Sequence, residues 1–385
     1  MNIFIIGTGM GDTKNLTVSA REKIENADII IGARRVAQPF ADGKRQVYFE
    51  YDADRISDII RENPEKNIAV MFSGDISFFS GAKKLCALFP KAQAEPGISC
   101  VSYFCAKIGI SYDDMNIVSM HGRECNIASE VRGHKKTFAL LGENPCAKLC
   151  KFGLGGAEVF IGENLSYETE KILRGTAEEL RDIKTDPLSV IVIINENFDA
   201  RARIGIRNEE FITGGAPMTK SEVRAVSVSR LEIKPDDICL DIGAGTGSVS
   251  VEMALLCPKG RVYAVEKNAE AAELIEKNAV KFTADNIEVI RGEAPDALKG
   301  LPKADKVFIG GSSGKIDEII DKCACRKVVV NAITLETLTG TLKAFEERGY
   351  SYDVAQISAA RGRKIGNYNM MTAQNPVFVI CGEKR

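Results

Sequence analysis

Short apolar runs alternate with amphipathic segments along the first part of the chain. The runs have the length and composition of buried strands and lie at residues 3–6, 29–31, 47–49, 68–72 and 92–95. Segments with helical spacing of their apolar residues lie between them, at residues 18–26, 56–61 and 81–89. Because parallel strands need crossover connections, this alternation predicts an α/β fold with parallel strands.

A second lobe is predicted to begin after residues 108–114. Its strands are predicted at residues 117–120, 137–141, 159–161 and 189–194, with a helix at 171–180. Residues 195–207 are polar and rich in arginine and have no apolar face, so we place a linker around residues 197–205. The predicted domains are residues 1–200, with lobes of about 1–110 and 115–196, and residues 205–385.

The second half continues the alternation of strands and helices. Strands are predicted at residues 238–240, 262–265, 287–290, 306–309 and 328–331. Two last strands, 353–357 and 377–380, follow the final helix at 335–348. This order predicts a Rossmann-like parallel sheet with an antiparallel hairpin at its edge, the usual layout of a methyltransferase domain that uses S-adenosylmethionine (SAM).

The clearest chemical signal is a glycine-rich turn between a predicted strand and the helix at 248–256. It consists of Asp241, Ile242, Gly243, Ala244, Gly245, Thr246 and Gly247. Glycines let a backbone approach a ligand closely, and the next helix offers the free N–H groups of its first turn. Glu266 ends the following strand, where a carboxylate can accept both hydroxyls of a ribose.

Two cofactors use such a turn, NAD and SAM. The NAD fingerprint is Gly-x-Gly-x-x-Gly, whereas Ser248 stands at its third glycine position here. Asp241 precedes the first glycine, where it could orient a methionine ammonium group. We therefore favour SAM over NAD, and a glycine turn that binds nothing is the structural alternative.

Other loops of the second half fall at the same predicted sheet edge. Glu293 and Ala294 follow the third strand, where an adenine would lie, and Gly310 follows the fourth, where a substrate would approach the methyl group. The structural alternatives are a solvated loop carboxylate for Glu293 and a plain turn for Gly310.

Two further segments flank this predicted pocket. Thr219 is predicted to cap a helix at 220–231, with Glu222 completing a capping box, and the same segment could fold over a cofactor. Arg361 and Arg363 lie in a predicted basic loop between the last two strands. Arginine binds carboxylates in a bidentate manner, so this loop suits a substrate rich in carboxylates. A solvated hairpin tip is the alternative.

Composition narrows the classes of function. A chain of 385 residues is long enough for two domains, and its net charge of −2 gives no overall attraction to nucleic acid or to an anionic membrane. No apolar run approaches a membrane span and no signal peptide precedes the first strand. With 11 scattered cysteines and 2 histidines, we expect no metal site and predict reduced thiols in the cytoplasm.

The first half carries tight loops at the ends of its predicted strands. Gly74 and Asp75 follow one strand, and Pro96 and Gly97 follow another. A dinucleotide site at residues 7–12 is not favoured, because no acidic residue ends the second strand. Residues 119–123 place His121 and Arg123 just after a strand. Since no nucleophile pattern accompanies His121, a structural hydrogen bond is the alternative to a chemical role.

These motifs together resemble a family of corrin-ring methyltransferases. The first half resembles tetrapyrrole methylases of the CbiE type at residues 7–12, 73–79, 95–99 and 119–123. The second half resembles the CbiT type at residues 217–224, 241–249, 307–312 and 329–336. Met10 and Ile76 stand where prolines are common in the family, Phe79 where a tyrosine is usual, and Cys100 where a serine is usual.

The resemblance implies a bifunctional, decarboxylating precorrin-6Y C5,15-methyltransferase, or its cobalt-precorrin counterpart, of cobalamin biosynthesis. It implies a two-lobed class III fold that methylates C5, followed by a class I domain that methylates C15 and promotes loss of CO2 from the C12 acetate. SAM would contact Thr219, the turn from Gly243 to Gly247, Glu266 and Ala294 in the second half. In the first half it would lie against Gly74, Asp75, Pro96 and Gly97. The resemblance also implies a homo-oligomer.

The substrate would be a small tetrapyrrole with peripheral carboxylates. Candidates for positioning it are Arg207, Lys220, His121, Arg123, Arg361 and Arg363. Two other interpretations stay open. One is a SAM-dependent methyltransferase of RNA or protein, which the Gly-Gly-Ser-Ser loop after the fourth strand disfavours, and the other is a non-catalytic protein that binds SAM or a tetrapyrrole.

Overall fold

The computed structural model describes residues 2–201 and 203–384. Ala202 of the predicted linker, and Met1 and Arg385 at the ends of the predicted domains, lie outside the described residues. The chain folds into two compact units, residues 1–124, 135–146 and 157–196 in the first and residues 125–134, 147–156 and 197–385 in the second. The predicted domain boundaries stay predictions.

The helices and strands of residues 2–196 follow the predicted alternation. In chain order they are β1 (Ile3–Gly7), α1 (Val18–Glu25), β2 (Ile29–Gly32), α2 (Arg34–Ala37), β3 (Gln46–Phe49), α3 (Ala53–Glu62), β4 (Ile68–Phe72), α4 (Ala82–Leu88), β5 (Gln93–Glu95), α5 (Cys100–Ile108), β6 (Asn116–Ser119), α6 (Ile127–Gly133), β7 (Lys136–Leu140), α7 (Cys146–Lys151), β8 (Glu158–Glu163), β9 (Lys171–Thr176) and β10 (Ser189–Ile194).

The first unit contains two sheets. The first has the order β3-β2-β4-β1-β5, and all of its neighbouring strands are parallel, as predicted. The second has the order β6-β7-β10-β8-β9, and only β6 and β7 are parallel. The helix predicted at residues 171–180 is wrong. Residues Lys171–Thr176 form the edge strand β9, because pairing with β8 and the glycine at 175 outweigh the local helical pattern.

The remaining elements belong to the second unit. They are α8 (Ser221–Leu231), β11 (Ile238–Ile242), α9 (Ser248–Leu256), β12 (Arg261–Glu266), α10 (Ala269–Lys281), β13 (Ile287–Arg291), β14 (Lys306–Ile309), α11 (Ile316–Cys323), β15 (Lys327–Ala332), α12 (Leu335–Glu347), β16 (Ser351–Ile357), β17 (Ala360–Ile365), β18 (Tyr368–Ala373) and β19 (Val377–Glu383).

The main sheet of the second unit confirms the Rossmann-like prediction. Its order is β13-β12-β11-β14-β15-β19-β16, with the first five strands parallel and β19 antiparallel to both of its neighbours. Helices cover both faces of the sheet, and its central strands are apolar on both faces, as in other parallel sheets. The predicted basic loop is wrong in one respect, because Arg361 and Arg363 lie on β17, which pairs with β18 in a two-stranded ribbon.

Other expectations from composition can be compared with the fold. The eleven cysteines carry free thiols. Among residues 2–201 and 203–384, none of the helices is both long enough and apolar enough to span a bilayer. The same residues contain no cluster of histidine, cysteine and carboxylate side chains suited to a metal ion.

A buried carboxylate organises the part of the second unit that comes from residues 125–134 and 147–156. The Asp285 carboxylate accepts hydrogen bonds from the amides of Ala128, at 3.1 Å, and Ser129, at 2.9 Å, in the first turn of α6. The Ser129 hydroxyl also donates to it, and the Lys148 ammonium lies 2.8 Å away. Because the preceding Asn126 side chain makes no cap, Asp285 caps this helix from a distant point in the sequence.

We expect Asp285→Ala to lower the free energy of unfolding of the second unit by about 2–3 kcal/mol, because two buried amides and a hydroxyl lose their acceptor. Urea unfolding followed by circular dichroism measures the change. Asp236→Ala is the matched control, since its side chain is exposed and has no partner within the described residues. Equal unfolding midpoints for the two variants would contradict the capping role.

Candidate active sites

The glycine turn of the second unit lies where three neighbouring strands end. β11 is flanked by β12 and β14, so the loops after these parallel strands share one edge of the sheet. At Gly243, a Cβ would lie 2.8 Å from the amide nitrogen of Gly311, so the loop after β14 packs directly on the turn. At Gly245, with φ of +57°, a Cβ would overlap the carbonyl oxygen of Pro217. The turn therefore needs glycine at both positions.

Glu266 holds this turn from the neighbouring strand. One of its carboxylate oxygens accepts the Gly245 amide at 2.8 Å, and the other accepts the Asn268 amide at 2.9 Å. The side chain also lines the cavity beside the turn. Because each carboxylate oxygen has two lone pairs, both can still accept a ligand hydroxyl, as the ribose prediction requires.

Asp241 lies beneath the turn rather than in the cavity. Its side chain is fully buried and accepts a hydrogen bond from the Ser250 hydroxyl, while its second oxygen has no hydrogen-bond partner among the described residues. Burial raises the pKa of Asp241 to about 7, the Ser250 hydroxyl opposes this, and the nearby Glu266 carboxylate adds to it. Within the same turn, the buried Thr246 hydroxyl also has no partner among the described residues.

The structure brings together six of the residues predicted for the second site. They line one cavity and are Gly243, Gly245, Glu266, Glu293, Ala294 and Gly310. Four others lie in the turn but do not line the cavity, namely Asp241, Ala244, Thr246 and Gly247. Thr219 is also outside the lining, and its neighbour Pro217 takes that place. The pocket thus forms from the predicted loops, with Pro217 as an additional wall.

Glu293 lies in an ion-pair cluster at the rim of this cavity. Its carboxylate oxygens are 3.0 Å from the Lys267 ammonium and 3.1 Å from that of Lys315. These two hydrogen-bonded lysines lower the pKa of Glu293 to about 2. The sequence motifs did not point to either lysine. Lys267 immediately follows Glu266, and that position at a strand end was the available signal.

The capping box predicted at the start of α8 is wrong. The helix begins at Ser221 with Lys220 as its N-cap residue, whose side chain makes no cap, and the Asn208 side chain accepts the Ser221 amide at 3.0 Å instead. Glu222 instead accepts hydrogen bonds from the Arg361 guanidinium, with both of its oxygens 2.8 Å from Nη2. Arg361 also donates to the Ser221 hydroxyl. This contact fixes the β17–β18 ribbon to α8, and a long-range charge pair therefore prevails over the local cap.

The other cationic candidates of the second unit lie at the surface. Arg207 precedes a 3₁₀ turn at Asn208–Glu210, Lys220 precedes α8, and Arg363 lies on β17. All three side chains are exposed, and none lines the cavity beside the glycine turn. These three side chains therefore do not contribute to the wall of that cavity.

The candidate site of the first unit forms where β4, β1 and β5 end side by side. Gly9 and Gly74 exchange backbone hydrogen bonds of 3.2 and 2.6 Å, which join the loops after β1 and β4. A Cβ on Gly97 would overlap the carbonyl oxygens of both Gly74 and Gly7. The three loops therefore touch backbone to backbone, which leaves no room for a side chain at position 97.

Asp75 ties two of these loops together. Its carboxylate accepts the Gly97 amide at 3.0 Å, the Ser77 amide at 2.8 Å and the Ser77 hydroxyl. Burial opposes ionisation of Asp75, but these hydrogen bonds outweigh it, so the pKa stays below its ordinary value. Gly74 and Asp75 line the cavity of this unit, whereas Pro96 and Gly97 lie behind it.

Cationic and aromatic side chains border the same cavity. His121 lines it, and the Arg123 guanidinium lies 6.0 Å from the centre of the Phe79 ring, which also lines it. Arg35 belongs to this lining as well, although no sequence motif singled it out. Its position just after β2, at the carboxyl edge of the parallel sheet, was the signal that pointed to it.

The two halves of the chain match different families of known proteins. Residues 2–181 match the family model of tetrapyrrole (corrin/porphyrin) methylases, and residues 209–384 match the precorrin methyltransferase domain. A "probable cobalt-precorrin-6B C(15)-methyltransferase (decarboxylating)" of Pyrobaculum calidifontis is 45% identical over 183 residues, which are 46% of this chain and 94% of the relative. Its counterpart in Saccharolobus solfataricus is 44% identical, over 44% of this chain and 89% of the relative. The chain belongs to the precorrin methyltransferase family.

One solved structure that is similar to part of this chain is also named as a precorrin methyltransferase. The crystal structure of precorrin-6y C5,15-methyltransferase from Geobacter metallireducens is 41% identical over the aligned part. It covers 47% of this chain and 97% of that chain, with a TM-score of 0.45. The family matches confirm the resemblance stated for each half of this precorrin methyltransferase.

The buried Asp241 predicts a pH dependence of stability. Its folded pKa of about 7 exceeds the ordinary value of 3.8, so the folded state keeps a proton that the unfolded chain releases. The contribution of Asp241 to the stability of the second unit should therefore fall as pH rises between about 4 and 7. Urea unfolding across this range measures the slope, which Asp241→Asn should reduce. A slope unchanged in Asp241→Asn, and equal to that of the exposed control Asp236→Asn, would refute this.

Proposed function

We propose that this chain is a bifunctional, SAM-dependent C-methyltransferase of a precorrin or cobalt-precorrin ring in cobalamin biosynthesis. The first unit methylates C5. The second methylates C15 and promotes loss of CO2 from the C12 acetate. The observation that carries the proposal is the cavity beside Gly243 and Gly245, with Glu266 bonded to the turn, in a half that is 45% identical to a named C15-methyltransferase.

The residues around the second cavity fit a SAM molecule. The glycine turn offers a surface without side chains at the start of α9, and Glu266 offers carboxylate oxygens to ribose hydroxyls. Ala294 is buried beside Gly292 and provides an apolar wall for an adenine. Thr219, Ala244, Thr246 and Gly247 would act through the shape of the turn and of the segment that covers it.

The first cavity fits a second SAM molecule in a different way. Gly74 and Asp75 lie in the wall, while Pro96 and Gly97 set the position of the loop behind it. Here no carboxylate stands at the end of β2, so the cofactor would be held mainly by loop backbone and by apolar side chains such as Met10 and Leu165.

In both units, the protein would promote methyl transfer mainly by positioning the methyl donor and the ring. When bound, SAM supplies an electrophilic methyl group on a good leaving group, so the protein needs no nucleophile of its own. The loops at each sheet edge would hold the methyl donor and the ring carbon next to each other. Apolar surroundings for the C12 acetate in the second unit would favour loss of CO2.

Peripheral carboxylates of the ring would bind cationic side chains near each site. In the second unit we propose Arg207, Lys220 and Arg363, whose side chains are exposed. Arg361 would have to release Glu222 before it could bind a substrate carboxylate. In the first unit we propose His121 and Arg123.

Two other functions remain as outcomes of the test. A methyltransferase of RNA or protein amino groups would be expected to have an Asn/Asp-Pro-Pro-Tyr-like loop after β14, where this chain has Gly310, Gly311 and two serines. A non-catalytic protein would bind SAM or a tetrapyrrole without turnover.

The free thiols suit the cytoplasm, where we place the enzyme.

Two matched glycine variants test the assignment of one reaction to each unit. Gly97→Val puts a side chain where the Gly74 and Gly7 carbonyls leave no room, and it should abolish C5 methylation. Gly245→Val collides with the Pro217 carbonyl and should abolish C15 methylation together with CO2 release. Mass spectrometry of precorrin-6B and cobalt-precorrin-6B after incubation with SAM separates the outcomes, since only one methyl gain accompanies loss of CO2.

The two variants control for each other. Each should keep the reaction of the other unit, at a rate within about twofold of wild type, because the substitution is local. Loss of both reactions in either variant would contradict the division of labour. A wild-type chain that changes the mass of neither ring would remove the proposed function and favour a binding protein.

Self-association is proposed for the β17–β18 ribbon. Its strands expose Ile365, Tyr368, Met370 and Met371, and a ribbon of two strands is marginal in water without further packing. We therefore expect a second copy of this chain to cover it. Light scattering should show a homo-oligomer for wild type and a smaller species for the double variant Tyr368→Lys/Met371→Lys. A monomeric wild type, or an unchanged mass in the variant, would contradict this.

A further inference from the structure

Two cavities of the first unit adjoin one another. One lies against the Gly74–Asp75 loop, and the other lies between α2 and the end of β4. Four residues line both of them, namely Arg35, Ser73, Phe79 and His121. These four residues therefore lie at the boundary between the two cavities, which is called the passage.

Phe79 lies at this passage and has a strained backbone conformation. Its φ is +45°, a region that L-residues with a bulky side chain rarely adopt. Its ring is 44% exposed, so the strain does not serve to bury the ring in the core. Phe78 contacts the ring edge to face at a centroid distance of 5.0 Å, and Arg123 lies over it. Strain that positions an exposed aromatic ring at a cavity indicates a role in binding.

The basic side chains near the passage lack anionic partners. Within the described part of the chain, the side chains of Arg35 and His121 make no hydrogen bond or ion pair, and Arg123 has only its contact with Phe79. The carboxylates that line the two cavities already accept hydrogen bonds, Glu50 from the amides of Tyr51 and Asp52, and Asp75 from the donors described above. Arginine side chains without a partner at a cavity suit an anionic ligand.

We propose that Phe79 and Arg35 are positioning residues for the tetrapyrrole in the first unit. The Phe79 ring provides a flat surface for the macrocycle at the passage, and the Arg35 guanidinium binds one peripheral carboxylate of the ring. This inference rests on the proposed function, because it takes the methylated substrate of this unit to be a carboxylate-bearing macrocycle. One cavity then holds the methyl donor and the other an edge of the ring.

Arg35 and Arg34 form a matched pair for the test. They are adjacent on α2 and both exposed, but the Arg34 guanidinium lies over the Phe49 ring at 4.4 Å and borders neither cavity. Arg35→Ala in the full chain should raise KM of the tetrapyrrole for C5 methylation by about tenfold or more, with kcat within about threefold of wild type. Arg34→Ala should leave both constants unchanged, and Arg35→Lys should restore part of the affinity.

Phe79→Gly distinguishes a role of the Phe79 ring in substrate binding from a role in the stability of the fold. Glycine adopts this φ without strain, so the variant should unfold at the same urea concentration as wild type or a higher one. It should nevertheless raise KM of the tetrapyrrole for C5 methylation by about tenfold, whereas Phe79→Tyr should keep it near the wild-type value.

The second unit provides an internal control in every experiment. Methylation with loss of CO2 should be unchanged in the Arg35 and Phe79 variants, because these residues lie in the other unit. If wild type methylates C5 and KM is unchanged in Arg35→Ala and Phe79→Gly, the inference fails while the proposed function stands. If wild type gives no C5 methylation, the proposed function of this unit fails first.

Discussion

The second unit is built around a buried ion pair between Arg224 of α8 and Glu252 of α9. Both side chains are fully buried, and Arg224 Nε lies 2.6 Å from a Glu252 carboxylate oxygen. The remaining hydrogen-bonding groups of this ion pair bind the backbone of the segment that precedes α8. Glu252 accepts the amides of Gly205 and Ile206, and the guanidinium donates to the carbonyls of Ile206 and Thr219. The pair therefore holds the segment at Gly205, Ile206 and Thr219, and removal of one partner would leave a buried charge at a cost of about 3–5 kcal/mol.

That segment in turn completes the glycine turn. The Pro217 carbonyl accepts the Thr246 amide at 3.3 Å and fills the space where a side chain on Gly245 would lie. The same carbonyl-to-glycine packing recurs in the first unit, where Gly97 faces the carbonyl of Gly74. The two sheets therefore build their candidate sites by the same physical means. Backbone packs on backbone at the carboxyl edge of parallel strands, where the absence of Cβ atoms leaves amides and carbonyls to define the wall.

Local features of the chain could be predicted from its sequence, and long-range ones could not. The strands β11, β12 and β14 and the glycine turn were predictable, because apolar runs and the conformational needs of Gly243 and Gly245 are local. β9 was mistaken for a helix, since its pairing with β8 lies outside any local window. Thr219 and Glu222 have capping-box spacing, but Arg361, 139 residues away, binds Glu222 instead. The partners of Arg224 and the placement of Arg35 at a cavity likewise depend on packing that spacing does not encode.

The distribution of charge fits a protein that selects an anionic ligand at short range. A net charge of −2 provides no long-range attraction, and at physiological ionic strength an exposed charge acts over about 8 Å. Arg35 nevertheless lines the first cavity without an ion pair, whereas Lys148 faces Asp285 and Lys327 faces Glu232. An unpaired Arg35 beside engaged carboxylates keeps its full hydrogen-bonding capacity for a ligand. Recognition of a multiply charged ring by such a surface depends on where each carboxylate meets a guanidinium, and so on the geometry of the ring.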